Sequence, residues 1–461
     1  MNRPKNYRAL PFLMGIMLLF SLVLSACSSD NKNAASTPDS GKKAEATPKA
    51  SPSGSGGAGA GDDKNMSGTV NMWYWDSGFY KPAQEAFNKL YPNIKLNFVQ
   101  VAAADYVKKV QTSVAAGSEL PDIVFGEINA RGSLYSLNIL DDLTKAPYNF
   151  DKSKLLDYVI PQTMNDKGEL VSLEWAVSPG GFAYKRNLAK QYFGTDDPDQ
   201  LSAMFPDWDT FIAKGKEVKE KSNGKVSMIA GLVDAYTTLY PQDATPIIKG
   251  TEVNSTEFLT VLKKVQAIRD AGIDQKLDMW SPTWNASYTK DDVIFYPAAN
   301  WSPKYVIKAN DKDSNGRWGI MVPPAGGFSY GGTSLGITKS SKNKDAAWTF
   351  LKWYYTTKEG QEVNKTSLDY YVPMKSVFTD SANLSTGADA YFGGQDLGLF
   401  WNTKVLPTLK SKPVTKYDND IYNASTLVAQ TMMKDKTFTA ETGLEKWKQE
   451  LKRNHPELTF K

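Results

Sequence analysis

The 461-residue sequence holds one cysteine and one histidine, and each scarcity excludes chemistry. With Cys27 alone, no disulfide can form within the chain, so a hydrophobic core must hold the fold. His455 sits in the stretch RNHPELTFK. A Ser–His relay or a histidine-rich metal centre has nothing to be built from. An excess of one charge is also missing. Lys and Arg number 54 against 50 Asp and Glu, a net +4, which is too even to argue for nucleic acid as a partner. A phosphate loop is absent as well. The run GSGGAGAG ends at Gly61, and Asp62 follows it where Lys and Ser or Thr would be needed. That run follows no strand and opens no helix, so it reads as linker rather than as a dinucleotide fingerprint.

What is there begins with a leader. Arg3, Lys5 and Arg8 precede the apolar run ALPFLMGIMLLFSLVL, residues 9–24. The run is shorter than the roughly 20 residues a membrane span needs, and with its basic front it predicts a signal peptide over residues 1–26. It closes on Leu24-Ser25-Ala26-Cys27, which resembles the bacterial lipobox. That resemblance implies that Cys27 is lipidated on sulfur, becomes the first residue of the processed chain and is the only attachment to the membrane. Residues 28–66 are rich in Ser, Gly, Ala, Pro, Lys and Asp, too polar to order themselves. They read as a tether with a span of roughly 35 Å, holding the protein on the extracytoplasmic face of a bacterial cell membrane.

The remainder has the composition of a globular protein, 41% hydrophobic and 23% charged, with length enough for two or three domains. Residues 68–75 read as a strand. Phe79, Ala83, Ala86, Phe87 and Leu90 follow at helical spacing, and Pro92 ends that helix. Ile94, Leu96 and Phe98 alternate as a second strand. Val107, Val110 and Val114 line a helix ended by Gly117, and PDIVF is a short buried strand. Strands alternating with helices predict α/β architecture with a parallel sheet. In such sheets ligands gather beyond the carboxyl ends of the strands. Trp75-Asp76 and Gly126-Glu127-Ile128-Asn129 converge there. Further on, the pattern predicts a hairpin over residues 164–179, helices over 208–221, 256–271 and 344–361, and strands over 292–296 and 317–322.

Several ordered segments then carry a family resemblance. They are VNMWYWDS, PDIVFGE, SLYSLNILDDLT, LEWAVSPGGFAYKRNLAKQYFG, FPDWDTF, FYPAANW and WGIMVPPAGGFSYGGTSLGITKSSKNKDAAWTFLKWYYTTKEGQ. Together they resemble the solute-binding lipoproteins of bacterial ABC importers, the maltodextrin-binding-like carbohydrate group, over residues 68–375. The resemblance implies a two-lobe, periplasmic-binding-protein-like α/β fold of type II, with three crossings near Trp175–Ser178, Pro324–Gly327 and Tyr370–Met374. One lobe would hold residues 67–175 and 325–372, the other 176–324 and 373–461. Ligand would sit between lobes that close on it. The implied partners are a carbohydrate, which the many aromatics point to being an oligosaccharide, and the permease subunits with their ATPase. The protein is expected to be a monomer, with no cofactor.

A sugar cleft mixes aromatic faces for the ring with aimed polar groups for the hydroxyls. Trp348, Trp353, Trp208, Trp447 and Trp318 fall in helices or strands and read as core. Trp75, Trp175 and Trp301 stand at a strand end, a crossing and a loop, where the resemblance implies sugar stacking and hinge packing is the competing explanation. Asp76 and Glu127 lie at the sheet's carboxyl edge, where helix capping would also suit them. Asn300 precedes Trp301, and Tyr236 and Trp284 are expected in loops of the second lobe. Gly332 and Thr333 follow the second crossing, where glycine lets backbone approach a ligand.

Asp311, Asp313 and Asn315 fit the first half of a calcium loop, but Val322 stands where a bidentate Glu is required, so an Asx-rich turn is the expectation and no metal is assigned. Catalysis is not expected. A glycoside hydrolase, needing two carboxylates, is the enzymatic rival. A lipoprotein for polyamine or peptide is the other alternative.

Overall fold

The computed structural model describes residues 64–75 and 77–461, with backbone alone for residues 77–80. The leader, Cys27, nearly all of the tether and Asp76 lie outside the described residues.

The chain first lays down β1 (Gly68–Tyr74), β2 (Ile94–Gln100), β3 (Ile123–Glu127) and β4 (Leu173–Glu174). It then forms β5 (Pro179–Lys185), β6 (Ser227–Ile229), β7 (Val293–Ala299), β8 (Trp318–Met321) and β9 (Phe328–Ser329). Finally β10 (Thr333–Ile337) returns to the first group. The first sheet runs β2-β1-β3-β10-β4 and the second β8-β5-β7-β6, with β9 beside β5. Period-two burial explains β1: Val70, Met72 and Tyr74 point into the core and the residues between them do not. All seven residues of β5 and of β7 are buried, as strands covered on both faces require.

The expected parallel sheet holds for β1, β2 and β3. It fails elsewhere. Strand β10 enters from the other sheet and so meets β3 and β4 antiparallel. In the second sheet only β6 and β7 are parallel. Each sheet has its own hydrophobic core. The five tryptophans read as core are all buried, Trp318 and Trp447 fully.

Helix ends follow their capping chemistry. Asp207 accepts from Thr210 N at 2.7 Å to open Trp208–Lys221, and Gly272 at φ 63° closes Ser255–Ala271. The single helix expected over 344–361 is two, Lys344–Thr356 and Lys358–Leu368. Thr357 is extended, and its hydroxyl accepts from Gly360 N at 3.1 Å, so a cap interrupts the periodic pattern.

The passages between sheets are tied together. Four residues separate β4 from β5, and among them Val177 N donates to Tyr371 O at 2.8 Å and Val177 O accepts from Asn300 Nδ2 at 3.0 Å. The second passage differs from the expected Pro324–Gly327. Strand β9 still pairs with β5, so the chain changes sheets at Tyr330–Gly332. Residues 325–327 are held to the second sheet's side, with Ala325 N on Pro206 O and Gly327 N on Thr408 Oγ1.

Candidate functional site

Strands β1 and β3 end at one edge of the first sheet, and β10 begins there, with Thr333 paired to Glu127. This register places Trp75, Glu127, Gly332 and Thr333 around one cavity of about 300 Å³. Trp175, Asn300 and Trp301 also line it. A second cavity of about 330 Å³ shares Glu127, Trp301 and Gly331 with it. Tyr236 lines that second cavity. Trp284 lines neither. It is 1% exposed and its Nε1 donates to buried Asp234 Oδ1 at 2.9 Å.

The loop placement expected for Tyr236 and Trp284 is corrected by the structure. Both are on helices, Leu232–Leu239 and Pro282–Ser287. Ser281 caps the latter by accepting from Trp284 N at 3.1 Å, with Pro282 following the cap.

Beneath the cleft lies a buried polar cluster. Arg131 opens a short helix, is fully buried, and forks onto Glu174 at the end of β4. Tyr135 Oη meets Ser172 and Ser334 hydroxyls at 2.5 and 2.9 Å. Glycine is required beside this pair. At Gly332, φ is 120° and a Cβ would sit 2.6 Å from Glu174 Oε1; at Gly126 it would sit 2.8 Å from Arg131 Cβ. Gly332 therefore serves the close approach of a carboxylate from below.

Glu127 reaches the cleft above this cluster. Its carboxylate accepts from Asn129 N at 2.9 Å, and burial pushes its pKa up against the pull of Asn129 and Arg131. Across the cavity, Asp418 accepts from Thr415 N and Oγ1 at 2.8 and 2.6 Å. Burial pushes the Asp418 carboxyl up to about 7. Gln162 Nε2 donates to Ser329 Oγ at 3.1 Å.

The aromatic side comes from the second sheet's helices and loops. Trp301 Nε1 donates to Tyr330 O at 3.0 Å, which fixes its ring, with Tyr330 packed at 5.1 Å. Trp280 lies nearly parallel to Trp301, 6.4 Å away at 26°, and 5.0 Å from Trp284. It is 47% exposed and its backbone is left-handed, φ 67°. A bulky side chain in that region is a true outlier, of the kind that gathers at ligand clamps.

Trp175 lines the same cavity and is anchored through both of its N–H groups. Its indole N–H donates to Tyr354 Oη and to Asn364 Oδ1, its backbone N–H donates to Thr333 O at 2.7 Å, and the residue is 8% exposed.

Sequence reasoning did not single out Gln162, Trp280, Tyr330, Asp418 or Tyr422 as cleft residues. Trp280 carried a readable signal. It directly precedes the Ser281-Pro282 helix start, which makes it a loop residue with no helical alibi. Asp418 and Tyr422 had none, because residues 410–422 reach the cleft through tertiary contact. Thr415 O lies 2.0 Å from where a Cβ on Gly132 would be, and Val414 N donates to Pro161 O.

At the half calcium loop, Asp311 Oδ2 accepts from Trp318 Nε1 at 2.8 Å and from Arg317 at 3.3 Å, which occupies the first would-be ligand. Among the described residues no group of three or more His, Cys, Asp or Glu side chains is placed to hold a metal. Nor is any described helix long and apolar enough to cross a membrane.

Comparison with known proteins agrees with this architecture. The family described as bacterial extracellular solute-binding protein matches residues 83–391. A lactose-binding protein of Rhizobium radiobacter is 24% identical over 364 residues, 72% of this chain and 80% of that protein. A crystal structure of an extracellular solute-binding protein of family 1 superposes with a TM-score of 0.76 at 18% identity, covering 84% of this chain and 99% of the other. The galacto-N-biose-/lacto-N-biose I-binding protein of a Bifidobacterium longum ABC transporter, solved with lacto-N-biose, gives 0.67 at 18% identity, over 84% and 98% of the two chains. The likeness to the solved structures is one of fold, mixed α/β and periplasmic-binding-protein-like. With two thirds of its length matched, the chain belongs to the bacterial extracellular solute-binding protein family.

Proposed function

We propose that this protein captures a saccharide in the cleft between two lobes and delivers it to the permease and ATPase subunits of an ABC importer. The carrying observation is the composition of the 330 Å³ cavity. Tyr236, Tyr240, Trp280, Trp301, Tyr330 and Tyr422 offer ring faces, while Glu127, Asn129, Gln162 and Asp418 offer hydrogen-bonding groups. Aromatic faces suit the CH faces of a sugar ring, and buried polar groups discriminate its hydroxyls. The lactose and lacto-N-biose named for two of the relatives support the same class of ligand. Trp75, Trp175, Asn300 and Thr333 belong to the same proposed site through the adjoining cavity. Lys410 and Lys412 beside the first cavity disfavour a polyamine.

The lobes of this reading are residues 67–175 with the segment after Tyr330 up to the third passage, and the remainder. The protein acts as a monomer, held outside the cell membrane by lipid on Cys27. It binds without cleaving. Glu127 and Asp418 are needed as acceptors, and Asp418 already has both oxygens engaged by Thr415.

A thermal-shift screen of residues 67–461 against mono- and oligosaccharides, peptides, polyamines and calcium tests the reading. A saccharide at 100 times its Kd adds about 2.7 kcal/mol of stability. Recovery of intact sugar is expected. Cleaved sugar would instead establish a hydrolase, and shifts confined to peptide or polyamine would replace the ligand class. Cys27→Ser is expected to release the protein from membranes, read by fractionation.

A further inference from the structure

Resting on the saccharide reading, we infer that the ligand is an extended chain that runs past Trp301 into a third chamber on the hinge side of the cleft. That chamber has a volume of about 610 Å³. Its walls are the loop after β7, the third passage at residues 367–371, and the turn-rich segment 386–402. It meets the 300 Å³ cavity at Asn300, Trp301 and Tyr370. That cavity meets the aromatic one at Glu127, Trp301 and Gly331. The three spaces are therefore strung around one indole.

The third chamber is built for a neutral, hydroxyl-bearing group. Its charged lining residues, Lys304, Lys308, Asp369 and Asp389, balance in sign, and Lys308 pairs with Asp389 at 2.8 Å. Three polar atoms of its wall are buried without a hydrogen-bond partner: Asn300 Oδ1, Asn402 Oδ1 and Trp401 Nε1. Trp401 is 2% and Asn402 5% exposed. Two acceptors and one donor left unmet cost free energy as the chain stands. Asn300, Trp401 and Asn402 all line the chamber, and a sugar hydroxyl, which both donates and accepts, is the kind of group that pairs with unmet donors and acceptors alike. The same wall includes the third passage, whose Tyr371 O is bonded to Val177 N of the first. A chain end seated here bears on the hinge, and affinity rises with ligand length.

The test is calorimetry on wild-type residues 67–461, Ala388→Trp and Ser367→Trp. The probes are malto-, cello-, xylo- and β-galacto-oligosaccharides, from disaccharide to hexasaccharide. Both substituted residues are exposed and line this chamber but neither of the other two cavities. In the series that binds, wild-type affinity is expected to rise with length. Each variant should bind the disaccharide as wild type does and the hexasaccharide about tenfold more weakly, a loss of about 1.4 kcal/mol. A flat wild-type length series overturns the inference whatever the variants do, as does an unchanged hexasaccharide affinity in folded variants. In both cases the saccharide reading survives. If no saccharide of any length binds, that reading itself falls and takes the inference with it.

Discussion

The two sides of the cleft are made of opposite materials. The first-sheet side is a buried polar scaffold: Arg131 forked onto Glu174, hydroxyls of Tyr135, Ser172 and Ser334 in contact, and glycines where any Cβ would collide. The second-sheet side is a set of rings, one of them, Trp280, half exposed on left-handed backbone. The polar side can fix orientation because its groups cannot move without breaking a desolvated pair. The aromatic side can supply contact area at low cost in side-chain entropy. On the proposed saccharide reading, orientation rests on the first-sheet side and contact area on the rings of the second.

Breaking the polar side should have the largest effect, and on stability. Arg131→Met leaves the Glu174 carboxylate buried without a partner and is expected to cost about 3–5 kcal/mol, read from denaturant midpoints. Adding Glu174→Leu should recover much of that loss, which separates the cost of an orphaned charge from the worth of the pair.

The aromatic side should behave the other way round. Trp280→Ala is expected to leave stability within about 0.5 kcal/mol, because nearly half the residue is in water. It should weaken saccharide binding by about 1–3 kcal/mol. Trp301→Ala, whose ring is packed against Tyr330 and anchored through its N–H, should lose on both measures. Equal behaviour of Trp280→Ala and Arg131→Met would dissolve the contrast between the sides.

The smallest effect concerns pH. Burial raises the Asp234 carboxyl behind the rings from 3.8 to about 7, against the pull of Trp284's N–H. Since the folded value lies above the unfolded one, the stability it contributes is fully present below 3.8 and is lost as pH rises through 7. Asp274 and Asp418 titrate in the same direction nearby. Asp234→Asn should therefore flatten, without abolishing, the fall in thermal midpoint across that window.

How much of this was legible depended on whether the signal was local. The strand of Val70, Met72 and Tyr74, the helix over 208–221 and the helix ended at Gly272 follow from periodicity and capping, though by sequence Asp207 and Asp209 are equal candidates for the cap. So does the gathering of Trp75 and Glu127 at one sheet edge, since the carboxyl ends of neighbouring parallel strands are neighbours in space. The break at Thr357 was hidden because the helices on either side share an apolar rhythm across it. The later change of sheet at Tyr330 was hidden because Pro323-Pro324 looks like the end of a strand, and nothing local announces that Phe328 and Ser329 pair once more with β5. Most of all, Asp418 and Tyr422 could not be seen, because their role depends on a meeting between distant parts of the chain.

That meeting has a consequence in time. The carbonyl of Thr415 occupies the space beside Gly132 that any larger residue would fill, and residues 410–422 form one whole side of the aromatic cavity. The cavity therefore has no closed wall until a segment made long after Glu127 has arrived and docked. A nascent chain, or one still threading through a membrane, has strands β1 to β3 available but nothing with which to enclose a solute. On the saccharide reading capture waits for that segment, and a nick between residues 410 and 418 is expected to weaken it.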